Sequence, residues 1–156
     1  MARISITKIF TFEAAHLLKG YDGLCANIHG HSYRLEVSVY SPALNVQPGS
    51  FLRSDESDPK NGMLFDFSEL KKLVNQAIID RFDHSLVLNE NIGEDLLQAL
   101  QKNSLRIVRV PYQPTSENML IDFAARLQMV LPAHISLKKL RLYETATSYT
   151  DYESEA

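Results

Sequence analysis

Two histidines at the start of a strongly alternating segment constrain most how this chain can fold. From Ser32 to Tyr40, polar residues alternate with apolar or aromatic ones, which is typical of a β-strand buried on one face. If the strand begins slightly earlier, His29 and His31 lie on the same face, with Cα atoms about 6.6–6.8 Å apart. Two imidazoles at that spacing can bind one metal ion. The segment therefore predicts a strand that carries metal ligands at its start.

A third histidine, His16, ends an earlier near-alternating segment that begins at Arg3. A hairpin of the two strands would bring the three rings together. Three neutral imidazoles leave the charge of a divalent ion uncompensated and one coordination position open, as in catalytic zinc sites. The single cysteine of the chain excludes a cysteine-rich structural site. The alternative for an isolated His-x-His is a turn with solvated histidines, but His16 and the nearby Cys25 favour Zn²⁺.

Length and charge exclude several other classes of protein. A chain of 156 residues is expected to form one domain. Its net charge of −3 argues against nonspecific binding of nucleic acid or of anionic membranes, which requires a basic excess. No apolar run reaches the ~20 residues of a membrane helix. The N-terminus lacks the apolar core of a signal peptide, and a lone cysteine fits a reducing compartment. We expect a cytoplasmic protein.

The remaining segments predict an α+β protein with an antiparallel sheet and helices on one of its faces. An acidic loop insertion at about 45–61 is interpreted as a solvated segment, with a substrate lid as the alternative. Exposed sheet edges favour homo-oligomerisation. No element is predicted for Leu86-Val87-Leu88. Helices are predicted from Asp66 or Ser68 to about Arg81, over 91–102, and from Thr115 or Ser116 to about Met129; strands are predicted over 106–110, 135–144 and 148–152.

Several short motifs spread over most of the chain occur in one fixed order. They are Phe12-Glu13-Ala14-Ala15-His16, Cys25-x-x-x-His29-Gly30-His31, Leu70-Lys71, Asp83-His84, Pro114-Thr115-Ser116-Glu117-Asn118 and Glu144-Thr145. The set resembles the 6-pyruvoyl-tetrahydropterin synthase superfamily, and its short cysteine-to-histidine spacing most resembles the bacterial 6-carboxy-5,6,7,8-tetrahydropterin synthase branch of queuosine biosynthesis. The resemblance implies a T-fold subunit with a four-stranded antiparallel sheet. It also implies trimers that close a β-barrel, a homohexamer of two stacked trimers, and active sites at subunit interfaces.

The resemblance also implies a role for each motif residue. Zinc is implied to bind to His16, His29 and His31, and catalysis is implied for Cys25, Asp83 and His84. The pterin ring of the substrate is implied to bind to Glu144, with help from Thr115, Ser116 and Glu117.

Some of these residues have simpler interpretations. Cys25 is interpreted as a base, and the alternatives are a buried small side chain or a fourth zinc ligand. Asp83 and His84 are interpreted as an acid/base pair, with a solvated helix exit as the alternative. Glu117 serves almost equally well as a carboxylate that favours the helix dipole, so it ranks below Glu144.

The implied reaction is the zinc-dependent conversion of 7,8-dihydroneopterin triphosphate to 6-carboxy-5,6,7,8-tetrahydropterin, with loss of acetaldehyde and triphosphate. The main alternative is 6-pyruvoyl-tetrahydropterin synthase, which eliminates triphosphate and keeps the three-carbon side chain. A noncatalytic zinc- or pterin-binding homologue is the alternative from another class. The presence of Cys25, Asp83 and His84 together argues against it, because a binding protein needs only the histidines and Glu144.

Overall fold

Six strands form one sheet in the computed structural model, which describes residues 2–53, 55–103 and 106–154. They are β1 (Ser5–His16), β2 (His29–Tyr40), β3 (Ser85–Asn89), β4 (Ile107–Val110), β5 (Ser136–Tyr143) and β6 (Tyr149–Glu153). Their order across the sheet is β4-β3-β1-β2-β5-β6. The described residues between 41 and 66 form turns and irregular segments, with one bridge from Val46 to Ala2. Residue 54, within the predicted loop 45–61, lies outside the described residues.

The antiparallel pair β1 and β2 is the centre of the sheet. The two strands pair without a slip along their whole length, from Ser5 opposite Tyr40 to His16 opposite His29. In this register the even-numbered residues of β1 and the odd-numbered residues of β2 share one face, as the burial pattern of both strands shows. We call this the helix face, because most of the core lies on it.

The prediction of a four-stranded antiparallel sheet was wrong. The sheet is mixed, because β3 pairs parallel to β1 and also parallel to β4. Strand β3 contains the Leu86-Val87-Leu88 run and is buried along its first four residues. Parallel strands covered on both faces show continuous apolar runs rather than alternation, so a search for period two does not detect them.

Most helices cover the helix face. They are α1 (Phe67–Val74), a π-helical segment (Asn75–Ile79), α2 (Asp80–Phe82) and α4 (Ser116–Val130). Helix α3 (Glu94–Gln101) does not cover this face. Asp66 caps α1 by accepting from the Ser68 amide, and Thr115 caps α4 by accepting from the Asn118 amide. Their apolar sides pack on Tyr33, Leu35 and the neighbouring strand residues in one core. No helix of the described residues has the length and apolar character that crossing a membrane requires.

The prediction that helices lie on one face only was wrong, because helix α3 covers part of the other face. It connects the parallel strands β3 and β4, and Leu97 packs with Leu86, Leu88 and Ile92 in a second, smaller cluster. Leu86 is paired with Ala15 of β1, which points away from the helix face. The second cluster therefore covers the opposite face at one end of the sheet.

Candidate active site

The register of β1 and β2 brings three histidines together at one end of the helix face. His16 lies opposite His29, and His31 lies opposite Ala14, two residues earlier in β1. The ring centroids are 4.5 Å apart for His16 and His29, 5.2 Å for His16 and His31, and 5.1 Å for His29 and His31. One ligand nitrogen from each ring lies within 4.8 Å of the others. We call this group the histidine cluster.

Backbone carbonyls fix which nitrogen of two rings faces into the cluster. The Nδ1 atom of His16 lies 2.7 Å from the Pro114 carbonyl oxygen, and that of His29 lies 2.8 Å from the Asn27 carbonyl oxygen. A carbonyl oxygen only accepts, so we assign a hydrogen to both Nδ1 atoms. In the neutral rings both Nε2 atoms then carry lone pairs, and these atoms lie 3.0 Å apart. Neither can donate to the other, so the arrangement calls for a cation between them.

Burial makes a proton a poor choice for that cation. Desolvation lowers the pKa of His16, and the positive charges that His29 and His31 can carry lower it further. The Pro114 carbonyl raises the pKa of His16, by less than desolvation lowers it. A divalent metal fits the donor set better: zinc binds imidazole nitrogen, and zinc-binding histidines usually donate their other ring N–H to a carbonyl or carboxylate.

Gly30 allows the two strands of the cluster to approach each other. A Cβ atom at residue 30 would lie 3.0 Å from the backbone oxygen of Ala14 and 3.4 Å from the Cα atom of Ala15. A larger residue would need a small shift of the β1 backbone next to residue 30. The close contact of the two backbones therefore favours glycine between His29 and His31.

Cys25 lies just before the cluster, in a 3₁₀ turn over Leu24–Ala26, and is partly buried. Its carbonyl accepts a hydrogen bond of 3.2 Å from the Leu18 amide. Two residues later, Asn27 provides the carbonyl that orients His29. The cluster of metal donors found in the described residues comprises the histidines alone, so this geometry does not support Cys25 as a fourth ligand.

Glu144 follows β5 directly and is half-buried next to Tyr33. Its amide donates to the Ser148 carbonyl in the turn before β6. Burial raises the pKa of the Tyr33 phenol, and the charge of Glu144 and its capacity as a hydrogen-bond acceptor raise it further. The ring of Tyr33 in turn lies 5.4 Å from the ring of His31. Tyr33 therefore separates the histidine cluster from the predicted pterin carboxylate.

The predicted segment 115–117 lies at the start of α4, directly after the carbonyl of Pro114 that binds His16. The Thr115 hydroxyl is used as the helix cap, and the buried Ser116 hydroxyl lies 2.8 Å from that of Thr150. Glu117 is exposed in the first turn of the helix, where a carboxylate is also favoured by the helix dipole.

Asp83 and His84 form a hydrogen-bonded pair, but they do not lie with the histidine cluster. The His84 Nδ1 atom lies 2.9 Å from Asp83 Oδ1, and His84 adopts a left-handed backbone with φ of 56°. The Glu13 amide donates to the same Oδ1 atom at 2.9 Å, and the His84 amide donates to the Glu13 carbonyl. The Glu13 amide and, after it, His84 lower the pKa of Asp83. His84 lines a cavity together with Glu13 and Ser32, whose side chains point away from the helix face, so we assign His84 to the opposite face.

A cavity of about 460 Å³ opens on that face. It is lined by Glu13, Gly30, Ser32, His84 and Arg106, among others, and His31 of the histidine cluster also contributes to its lining. Sequence reasoning overlooked two residues that organise the two faces. Glu13 fixes Asp83 through its backbone and accepts from the Ser32 hydroxyl at 2.8 Å, and Tyr33 lies between the cluster and Glu144. Glu13 belongs to the first of the sequence motifs and Tyr33 follows the second by two residues, but only three-dimensional contacts reveal their roles.

A comparison with models of known protein families identifies the family of this chain. The family model described as 6-pyruvoyl tetrahydropterin synthase matches residues 5–155, nearly the whole chain. The chain belongs to the 6-pyruvoyl tetrahydropterin synthase family. The resemblance inferred from the motifs is thereby confirmed. A similar protein is 6-carboxy-5,6,7,8-tetrahydropterin synthase of Haemophilus influenzae, at 33% identity over 150 residues that cover 95% of this chain and 97% of the relative.

Solved structures support the fold of the family member. An uncharacterized protein from Wolinella succinogenes has a TM-score of 0.71 at 16% identity, with 99% of this chain and 100% of that chain covered. The 6-pyruvoyl tetrahydropterin synthase of Caenorhabditis elegans has a TM-score of 0.63 at 24% identity, with 99% of this chain and 98% of that chain covered. These similarities concern the fold of the subunit.

Proposed function

We propose that this family member is a zinc-dependent lyase that converts 7,8-dihydroneopterin triphosphate to 6-carboxy-5,6,7,8-tetrahydropterin, releasing acetaldehyde and triphosphate. The reaction would belong to queuosine biosynthesis. The observation that carries the proposal is the histidine cluster, in which the Nε2 atoms of His16 and His29 face each other across 3.0 Å. The 33% identical relative named 6-carboxy-5,6,7,8-tetrahydropterin synthase supports this branch of the family.

In this proposal His16, His29 and His31 hold the zinc ion on the helix face. When bound, zinc supplies the Lewis acidity that makes the side-chain hydroxyls of the substrate and their carbons easier to deprotonate. Cys25, in the turn before His29, is the proposed proton acceptor, because a thiol near a divalent cation is readily deprotonated.

Glu144 is the proposed anchor of the pterin ring. The ring presents an amino group and an N–H side by side, and one carboxylate can accept from both in a charge-assisted arrangement. The half-buried position of Glu144 makes such a pair selective, because a ring without these donors would leave the carboxylate unpaired. Thr115 and Ser116 would support the ring from the start of α4, and Glu117 is the weaker candidate because it is exposed.

Asp83 and His84 are proposed to transfer protons in the site of a neighbouring subunit. Because Asp83 accepts from His84 Nδ1, the Nε2 atom of His84 is left to accept or donate a proton. His84 lines the cavity on the opposite face of the sheet, so we propose that the pair meets the histidine cluster of another chain across a subunit contact. This placement supports active sites shared between subunits, which we propose to be those of a homohexamer.

Mass spectrometry of the products tests the proposed reaction. Zinc-loaded protein incubated with 7,8-dihydroneopterin triphosphate is expected to yield 6-carboxy-5,6,7,8-tetrahydropterin together with acetaldehyde. Chelator-treated protein should yield neither, and added zinc should restore both. A product that keeps the three-carbon side chain would instead assign the 6-pyruvoyl-tetrahydropterin synthase reaction. Zinc-loaded protein without turnover of any dihydropterin would favour a binding protein.

A further inference from the structure

The hydroxyl group of Tyr33 is buried and has no hydrogen-bond partner of ordinary geometry among the described residues. The side chain is completely buried, and its ring stacks on that of Phe12 with a centroid distance of 5.0 Å and an interplanar angle of 11°. A buried hydroxyl without a partner destabilises a folded protein, because its bonds to water are lost and not replaced. Phenylalanine would fill the same space without this cost. The hydroxyl therefore calls for an explanation beyond packing.

Strand register identifies the group to which this hydroxyl can respond. Arg34 of β2 is paired with Tyr143 of β5, the residue before Glu144. By the alternation of both strands, Tyr33 and Glu144 then lie on the helix face as neighbours. The register therefore places the Tyr33 side chain beside that of Glu144, although no regular hydrogen bond joins them.

Complete burial limits what Tyr33 can do. A hydroxyl that is shielded from solvent cannot contact a ligand directly, whereas the half-buried Glu144 can. An ionised carboxylate has about four acceptor sites. Two of these suffice for the amino group and N–H of a pterin ring, which leaves a site for a phenol.

We propose that Tyr33 is a positioning residue for the pterin site: when a pterin binds, its hydroxyl donates to the Glu144 carboxylate and fixes the orientation in which that carboxylate accepts from the ring. The inference rests on the proposed function of Glu144 as the pterin anchor. In this role the unpaired hydroxyl of Tyr33 destabilises the pterin-free protein, and the hydrogen bond to Glu144 offsets this loss when a pterin binds. Such a role predicts opposite effects of one substitution on stability and on affinity.

The test measures Tyr33→Phe in the full-length, zinc-loaded protein. Its dissociation constant for 7,8-dihydroneopterin is expected to rise about tenfold, the usual loss for a hydrogen bond to a charged group. Its Tm without pterin is expected to stay unchanged or to rise, because no formed hydrogen bond is removed. Its zinc content should equal that of the wild type, because the ring that packs beside His31 is retained.

Tyr112→Phe is the matched control. The Tyr112 hydroxyl donates to Asp122 at 2.7 Å, in a contact between the end of β4 and helix α4. Removing that formed bond should lower Tm and leave the pterin affinity unchanged. A second comparison uses Glu144→Ala: if Tyr33 acts through Glu144, adding Tyr33→Phe to that variant should weaken pterin binding by less than about twofold.

Three results would overturn the role of Tyr33. One is a pterin affinity of Tyr33→Phe equal to that of the wild type while Glu144→Ala binds weakly, which would leave the proposed function intact. The second is full additivity of the two substitutions, and the third is a loss of zinc from Tyr33→Phe, which would assign the residue to the metal site. A wild-type protein that binds pterin normally but forms no product would contradict the proposed reaction and leave the role of Tyr33 standing.

Discussion

At the scale of single residues, hydrogen bonds to the backbone determine what the histidine cluster can bind. His16 and His29 each donate from Nδ1 to a carbonyl, so their Nε2 atoms face each other as acceptors. The strand pattern predicted that the rings meet, because the spacing of histidines along a strand fixes the face on which they lie. It could not predict the tautomers, because the carbonyls of Asn27 and Pro114 come from a turn and from a loop that begins a distant helix.

Removing one ligand of the cluster should abolish tight zinc binding. His29→Ala is expected to weaken zinc affinity more than about 100-fold, because even residues that only support a metal ligand cost 10–100-fold. His134→Ala is the matched control, since this exposed histidine lies outside the cluster. Metal analysis after dialysis against a competing chelator measures both. Equal zinc retention by the two variants would contradict the metal site.

The lowered pKa of His16 gives the metal-stripped protein a specific dependence on pH. Near the usual imidazole pKa of about 6.5, the unfolded chain binds a proton at residue 16 that the folded chain binds only at lower pH. The unfolded state then holds more protons, so the free energy of unfolding should decrease as pH falls through this range. Asp83 adds a similar loss only near and below pH 3.8, because its pKa is lowered from that value.

Urea unfolding of the chelator-treated protein between pH 5 and 8 measures this effect. The control is His16→Gln, which cannot take up the proton and should show a smaller decrease over the same range. Identical curves for the two proteins would contradict the assignment of the pH dependence to His16.

At the scale of elements, the pairing of β1 with β2 was predictable and the rest of the sheet was not. Both strands alternate clearly, because one face of each is buried and the other is not. Strand β3 is buried on both faces and shows no alternation. Helix α3 was predicted as a helix, but which face it covers depends on the parallel pairing of β3 with β4. Local patterns therefore identified elements better than they identified neighbours.

Replacing Gly30 tests the close contact of these two strands. Gly30→Ala would place a Cβ atom 3.0 Å from the Ala14 carbonyl oxygen, so the backbone must shift. We expect a loss of about 1–3 kcal/mol in the free energy of unfolding, as for other overpacked sites. Gly93→Ala is the control, because a Cβ atom there meets nothing within 4 Å and φ is −57°. Equal effects of both substitutions on urea unfolding would contradict the predicted clash.

At the scale of the whole molecule, the sheet separates two groups of candidate catalytic residues. The histidine cluster and Glu144 belong to the helix face, whereas Asp83 and His84 belong to the opposite face with Glu13 and Ser32. The sequence motifs contain residues of both groups, because the order of motifs along the chain carries no information about the faces of the sheet. We propose that a site that uses both groups combines two chains.

Mixing two inactive variants tests whether the two groups of one site come from different chains. Cys25→Ala and His84→Ala are each expected to bind zinc and to lack turnover. If Cys25 and His84 of one site come from different chains, random co-assembly of equal amounts should restore about one quarter of the wild-type activity. Product formation per chain after co-expression measures the recovery. Mixed oligomers without recovered activity would show that each chain supplies both residues to its own site.

The uninterrupted pairing of β1 with β2 has a consequence for how the chain matures. A slip of one residue would move His29 and His31 to the face opposite His16, and a slip of two would carry His29 away from His16 by about 7 Å. An ion that binds all three rings therefore stabilises only the correct alignment of the strands. Zinc present during synthesis would therefore select chains in which β1 and β2 pair in the correct register. Chains with a shifted register would be recognisable as the fraction that binds no metal.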